Sequence, residues 1–339
     1  MSVRTRIGPR LDLDGLGGEL RERLQRLDAA LQDLAGGDGA PEDFDSHLYL
    51  STGVPRVRPV LVLLSERATR AHVQAEAGAT PNAEIKEVTE DVALAAELLH
   101  LAILVHDRAL GLPGGRRRRA ARRILGAVGW LGANHMTLRA LELSRHAPMP
   151  ELLGDVLDTM REIAEGHALS QSIENRVAQP SEVEELAAGY TGAVFDFACR
   201  SGARIAGGNR AIVGGLGRFG RHAGIAWHLA DDLAVMSAPE DELVYAIEER
   251  LHKRSPNYAV SLGAERDSRV SELWMEFRRG PIDSDLAEEL RRRIVNAGVL
   301  DEGRRHLVEQ TWRARKALSS LAPSPDRDAL DRLAANIAK

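Results

Sequence analysis

Two adjacent carboxylates, Asp231 and Asp232, stand in an otherwise apolar helical stretch, GRHAGIAWHLADDLAVM at residues 220–236. Neighbouring acids set among Ala226, Leu229, Leu233 and Val235 repel each other and lose hydration, and a cation relieves both penalties. Oxygen donors of this kind suit magnesium, which binds through one or two carboxylates and a substrate phosphate. They suit equally a helix turn whose acids face water, so the pair alone leaves both readings open. A second centre lies upstream, where LLHLAILVHDRALG ends in His106, Asp107 and Arg108. An acid at a helix C-terminus opposes the helix dipole, so Asp107 needs a reason other than helix stability. The glycine break at 111–115 follows, then Arg116 to Arg119, Arg122 and Arg123. By itself such a run is a solvated loop. Beside Asp107 and the Asp231–Asp232 pair it fits a polyphosphate, because guanidinium forks grip phosphate oxygens and carboxylate-held magnesium neutralises the rest.

These groups need rigid supports, and the chain supplies helices. Leu16, Leu20, Leu24, Leu27, Leu31 and Leu34 recur at spacings of three and four, which predicts an amphipathic helix over 14–35. Pro59 opens a second helix, 88–109 is a third that is apolar all round and therefore central, and 120–145 and 151–178 continue the pattern. Ser181 with Glu184 has the form of a capping box starting a helix that runs to Gly207–Gly208. Glycines at 214, 215, 217, 220 and 224 predict close helix packing or a loop before the central helix. Shorter helices follow at 240–252, 256–265, 268–278, 283–297, 302–321 and 326–337. No alternating strand pattern and no fixed-period repeat occurs. The expectation is an all-α bundle of ten or more helices around a central cavity, a single domain over 1–339 with residues 1–13 flexible.

Composition narrows the function classes. With a net charge of −5, the chain as a whole is not an electrostatic nucleic-acid binder. The single cysteine, Cys199, excludes an internal disulfide and fits a reducing cytoplasm. The polar start MSVRTRIGPRLDLDG lacks the apolar core of a signal peptide, and the most apolar run, 92–105, is too short to span a bilayer. A cytoplasmic protein without a transmembrane segment is expected.

The order of these segments resembles the trans-isoprenyl (polyprenyl) diphosphate synthases. Val54 to Pro59 is similar to that family's GKRLRP segment, and Glu97 to Asp107 to the helix entering its first aspartate-rich motif. Arg116 and Arg117 stand at the family's spacing beyond that motif, and Tyr190 to Phe195 resembles its KTAxLF segment. Residues 224–232, GIAWHLADD, resemble GxAFQxxDD, which opens the second aspartate-rich motif; the likeness extends over about 16–338. It implies an isoprenoid synthase-type bundle in which two aspartate-rich motifs hold magnesium against an allylic diphosphate. The metals draw off pyrophosphate, and isopentenyl diphosphate attacks the allylic cation.

The departures are concentrated where that chemistry needs charge. The first motif, DDxxD in the family, is Asp107-Arg108-Ala109-Leu110-Gly111; the second, also DDxxD, is Asp231-Asp232-Leu233-Ala234-Val235. Pro55 and Tyr190 replace two phosphate-gripping lysines, and His228 replaces the glutamine before the second motif. Exchanging a carboxylate for Arg108 changes the local charge by two units, each worth roughly 4 kcal/mol at about 4 Å and an effective dielectric of about 20. Magnesium at the first wall is therefore disfavoured, and Arg108, Arg116 and Arg117 would hold a diphosphate directly. The resemblance implies Asp107, Asp231 and Asp232 as catalytic and metal-binding residues, with magnesium on the Asp231/Asp232 side. It implies Arg56, Arg108, Arg116, Arg117, Thr191 and His228 as substrate-binding residues. Ala102 and Ile103 stand where the family limits product length with bulky side chains; neither is aromatic, so they read first as ordinary core residues, and in a catalytic chain they would leave the tunnel open to a longer prenyl chain.

Two functions fit this pattern. One is a divergent prenyltransferase, forming a homodimer or pairing with a related synthase. The other is a non-catalytic partner subunit of an intact synthase. Cyclase chemistry on the same fold is disfavoured by an aromatic content of 4%.

Overall fold

The computed structural model describes residues 17–36, 40, 56–77, 84–111, 118–252 and 256–339. Among them there is no strand; the fold is all-α. The elements are α1 (Gly18–Gly36), α2 (Val57–Ala77), α3 (Glu84–Gly111), α4 (Arg118–Arg145), α5 (Pro150–Ser172), α6 (Pro180–Ala187), a π-helical turn (Ala188–Gly192) and α7 (Ala193–Ile205). They continue with α8 (Arg210–Met236), α9 (Glu240–His252), α10 (Tyr258–Ala264), α11 (Ser268–Phe277), α12 (Ser284–Asn296), α13 (Val299–Ala317), a 3-10 turn (Leu318–Ser320) and α14 (Pro325–Ile337). The expectation of a flexible segment at 1–13 lies outside the described residues. No helix among the described residues is long and apolar enough to cross a membrane.

Helix α7 lies at the centre, packed against α2, α3, α5 and α8. Phe195, Phe197, Ala198 and Cys199 on it are fully buried. Helix α3 is the other interior element, with Val92, Ala93, Ala95, Ala96, Leu98, Leu99, Leu101 and Val105 all buried, as its uninterrupted apolar sequence requires.

The glycine-rich lead-in to the central helix is helix, not loop, and α8 begins at Arg210, ten residues ahead of the expected start. Asn209 caps it, its side-chain oxygen accepting from the N–H groups of Ala211 and Ile212 at 2.9 and 3.1 Å. Each interior glycine costs about 1 kcal/mol of helix propensity. The buried Leu216, Phe219, Ala226, Trp227 and Leu229 outweigh that cost, since a large apolar side chain contributes about 1.5–3 kcal/mol when fully buried. The glycines permit contact: a Cβ on Gly220 would lie 2.2 Å from the Phe195 carbonyl oxygen, and one on Gly224 would lie 2.6 Å from that of Thr191.

Two further expectations need correction. The helix predicted from Ser181 to Gly207 is interrupted by the π turn at Ala188–Gly192. Its start is also two residues earlier: Pro180 occupies the first turn, and the Gln179 N–H donates to Glu182 at 2.8 Å, so the reciprocal pair is Gln179 and Glu182. Ion pairs fasten the layers around α7. Arg221 on α8 binds Glu162 of α5 at 2.7 Å and Asp196 of α7 at 3.0 Å, and Arg204 of α7 binds Asp155 of α5 at 2.9 Å.

Candidate active site

Asp107 is buried in the last turns of α3, with Oδ1 3.6 Å from Nε2 of His167 on α5. The His167 ring packs 5.1 Å from Tyr190 in the π turn and edge-on, at 5.5 Å, to His106. His106 also lies against Trp130 of α4 at 4.7 Å. The imidazole of His106 is held down to about 4, first by burial and then by His167, so it is neutral near pH 7. Burial, then the Asp107 charge, pushes the Tyr190 phenol upward, and it remains protonated. Where the family pattern asks for carboxylates, this end of the site gathers one carboxylate, two imidazoles and a phenol.

The π turn links this end to the second pair of acids. It directs Tyr190 towards α5, whereas the next residue, Thr191, meets His228 of α8, Oγ1 to Nδ1 at 3.2 Å. On the far side of that ring, Arg250 Nη2 lies 3.2 Å from Nε2. A guanidinium only donates, so Nε2 is the unprotonated nitrogen and Nδ1–H donates to Thr191. Arg250 Nη2 also pairs with Asp232 Oδ1 and donates to the Pro256 carbonyl at 3.1 Å, and Nη1 lies 3.6 Å from Asp231 Oδ2. Polar contacts thus run from Thr191 through His228 and Arg250 to Asp231 and Asp232, and the π turn carries them on to Tyr190, whose ring packs against the His167 that neighbours Asp107.

The two aspartates differ sharply. Asp232 has 0% exposure; its Oδ2 accepts the Tyr258 N–H at 2.8 Å, and its backbone carbonyl accepts from Asn257 Nδ2 at 2.9 Å. Asn257 in turn caps α10 through the Val260 N–H at 3.1 Å. Asp231 keeps 26% of its side chain exposed. Magnesium keeps several waters and needs solvent-facing oxygens. Asp232 cannot offer them, and Asp231 offers them next to a guanidinium. No cluster of three or more acids, histidines or cysteines with metal-binding geometry occurs among the described residues. The residues present do not fit the divalent ion that the resemblance implies at this pair.

Arg56 Nε binds Asp28 of α1 at 2.9 Å, and its Nη1 lies 3.5 Å from Glu97 of α3. Arg58 reaches the same Glu97 at 3.5 Å and lies over the Phe195 ring at 5.6 Å. Both retained arginines of the GKRLRP-like segment are thus engaged within the bundle. The Arg108 side chain and all of Arg116 and Arg117 lie outside the described residues. Arg250 and His167 carry no sequence signal for this site: Arg250 ends an acidic run, and His167 lies far from Asp107 along the chain.

The comparisons with known proteins agree with this architecture. A family model described as Polyprenyl synthetase matches residues 46–265. The geranylgeranyl diphosphate synthase of Methanosarcina mazei is 24% identical over 93% of this chain and 95% of its own length. The octaprenyl diphosphate synthase of Escherichia coli K12 is 26% identical over 92% and 97%. A polyprenyl synthase from Caulobacter crescentus CB15, solved in complex with calcium and isoprenyl diphosphate, superposes with a TM-score of 0.77 at 23% identity, covering 97% of this chain and 99% of that one. With the profile match spanning well over half of its residues, the chain belongs to the polyprenyl synthetase family.

Proposed function

We propose that the chain binds isoprenyl diphosphates between the end of α3 and the end of α8 and acts as a divergent prenyltransferase. The observation that carries this reading is the run of contacts that the π turn links, with Asp107, His167 and Tyr190 on one side and Thr191, His228, Arg250 and Asp231 on the other, at the positions the family uses for its diphosphate substrates. In this reading Asp231, Thr191 and His228 face the substrate. The basic stretch with Arg108, Arg116 and Arg117 takes the diphosphate oxygens as guanidinium forks, and Asp107 with its neutral aromatic neighbours lines the opposite side. The test is incubation with isopentenyl diphosphate and a panel of allylic diphosphates, with and without magnesium. Prenyl product or released pyrophosphate is expected, and no turnover with any donor would exclude the transferase.

A second reading is a partner subunit without transferase activity, favoured by the pairing of Arg250 with the acids of the second motif. Trp130, Leu131 and Leu138 stand exposed on α4, an apolar face on which a second copy or an intact synthase could seat. Pull-down from the native host should then recover an intact synthase. A purified chain that only self-associates or stays monomeric counts against that reading.

A further inference from the structure

The acids of the second motif already face a cation, and it belongs to the chain. We propose that Arg250 takes the place of a divalent ion at the Asp231–Asp232 pair, so that this wall of the site is built and held without metal, and that the same guanidinium positions His228 and Thr191.

Four observations carry the proposal. Asp232 is wholly enclosed, with one oxygen on Arg250 and the other on the Tyr258 N–H, so neither is presented to a hydrated ion. The Arg250 side chain is itself only 4% exposed and is anchored on the Pro256 carbonyl, so it belongs to the interior and is not a surface arm folded over a vacant site. Two carboxylates and one guanidinium leave a single net negative charge, and a dication added there would stand against Nη1, 3.6 Å from Asp231. Finally, the guanidinium dictates the ring state of His228: with Nε2 receiving, Nδ1–H points at Thr191. Arg250 is thus a positioning residue. The inference stands whether or not the chain transfers prenyl groups.

The test uses the full-length chain without substrate, so its outcome is separate from the turnover assay. Manganese, followed by electron paramagnetic resonance, is the probe. Wild type is expected to bind no stoichiometric manganese and to melt at the same temperature in millimolar magnesium and in EDTA. Arg250→Met is expected to melt lower in EDTA and to recover part of the loss in magnesium. Adding Asp231→Asn should abolish the recovery, and Arg250→Lys, which keeps the charge, should stay insensitive to metal. Nitrogen NMR of labelled histidine should show His228 unprotonated at Nε2 in wild type and reverting to Nε2–H in Arg250→Met. One manganese bound per wild-type chain and lost in Asp231→Asn overturns the proposal. So does a folded Arg250→Met that gains nothing from magnesium, or an Nε2–H tautomer at His228 in wild type. If Arg250→Met does not fold, the wild-type manganese and NMR measurements decide.

Discussion

Asp107 Oδ1 and His167 Nε2 stand 3.6 Å apart and join the last turns of α3 to α5. Because Arg108 and Gly111 occupy places that the family gives to acids, Asp107 is the carboxylate left to this motif, and an imidazole on another helix is its neighbour.

Removing that neighbour takes away the imidazole beside the Asp107 carboxylate on the proposed diphosphate wall. His167→Ala is expected to weaken binding of an isoprenyl diphosphate about fivefold, corresponding to roughly 1 kcal/mol for a partly buried pair. Asp107→Asn in the same background should restore most of the affinity. Isothermal titration of the four proteins of the cycle measures this, with circular dichroism confirming the fold.

The two aspartates of the second motif should behave differently in denaturation. Asp232→Asn leaves the buried Arg250 facing an amide and is expected to destabilise by about 3–5 kcal/mol. Asp231→Asn, at a partly exposed and longer contact, should cost at most about 1 kcal/mol. Urea unfolding with a common slope would reveal the difference. Equal losses would show that the enclosure of Asp232 has no energetic weight.

Two histidines should bend the stability profile in opposite directions. His106 is lowered from 6.5 to about 4 by burial, so protonation favours the unfolded chain. Its contribution is complete above pH 6.5, declines as pH falls below it and is gone below about 4, up to roughly 3 kcal/mol in all. His306 is raised, chiefly by its bond to Glu184 at 3.2 Å, so its contribution is present below 6.5 and fades as pH rises through the folded value. Melting temperature against pH for wild type, His106→Phe and His306→Gln separates the two: the first variant should flatten the acid limb, the second the neutral one.

Gly220→Ala should unfold the chain more readily than any exposed glycine change. The new methyl would meet the Phe195 carbonyl at 2.2 Å, a backbone atom with no rotamer to yield. A loss of at least about 1–3 kcal/mol is expected from overpacking, against a propensity gain of about 1 kcal/mol for a helical Gly→Ala exchange. Gly154→Ala, where a Cβ meets nothing within 4 Å, is the control and should gain stability. Thermal melts of the two variants make the comparison.

The helical architecture was legible because periodicity records burial directly. Leu20, Leu27 and Leu31 on α1 and the unbroken apolar face of α3 are buried as their spacing demands. The glycines of α8 were ambiguous because propensity is local, whereas the carbonyls of Phe195 and Thr191 that require them are tertiary. At the site, motif positions located Asp107, Thr191, His228, Asp231 and Asp232, but not their partners. Arg250 reaches Asp232 from another helix, and His167 reaches Asp107 likewise; nothing in the neighbouring residues encodes either meeting. The full enclosure of Asp232 was invisible for the same reason, since adjacent acids look alike in a sequence and differ only in what surrounds them.

The π turn at Ala188–Gly192 has a consequence for how this chain can vary. A π turn takes up one residue more than the regular spiral within a single wide turn, so excising a residue there would restore ordinary winding while α6 and α7 kept their relative facing. With α7 locked by Phe195 and Phe197, the change would fall inside the turn itself, where Tyr190 meets His167 of α5 and Thr191 meets His228 of α8. The extra residue thus gives this short segment one more position at the pocket than a regular turn would hold: substitutions there retune the lining, whereas a single-codon deletion removes part of it.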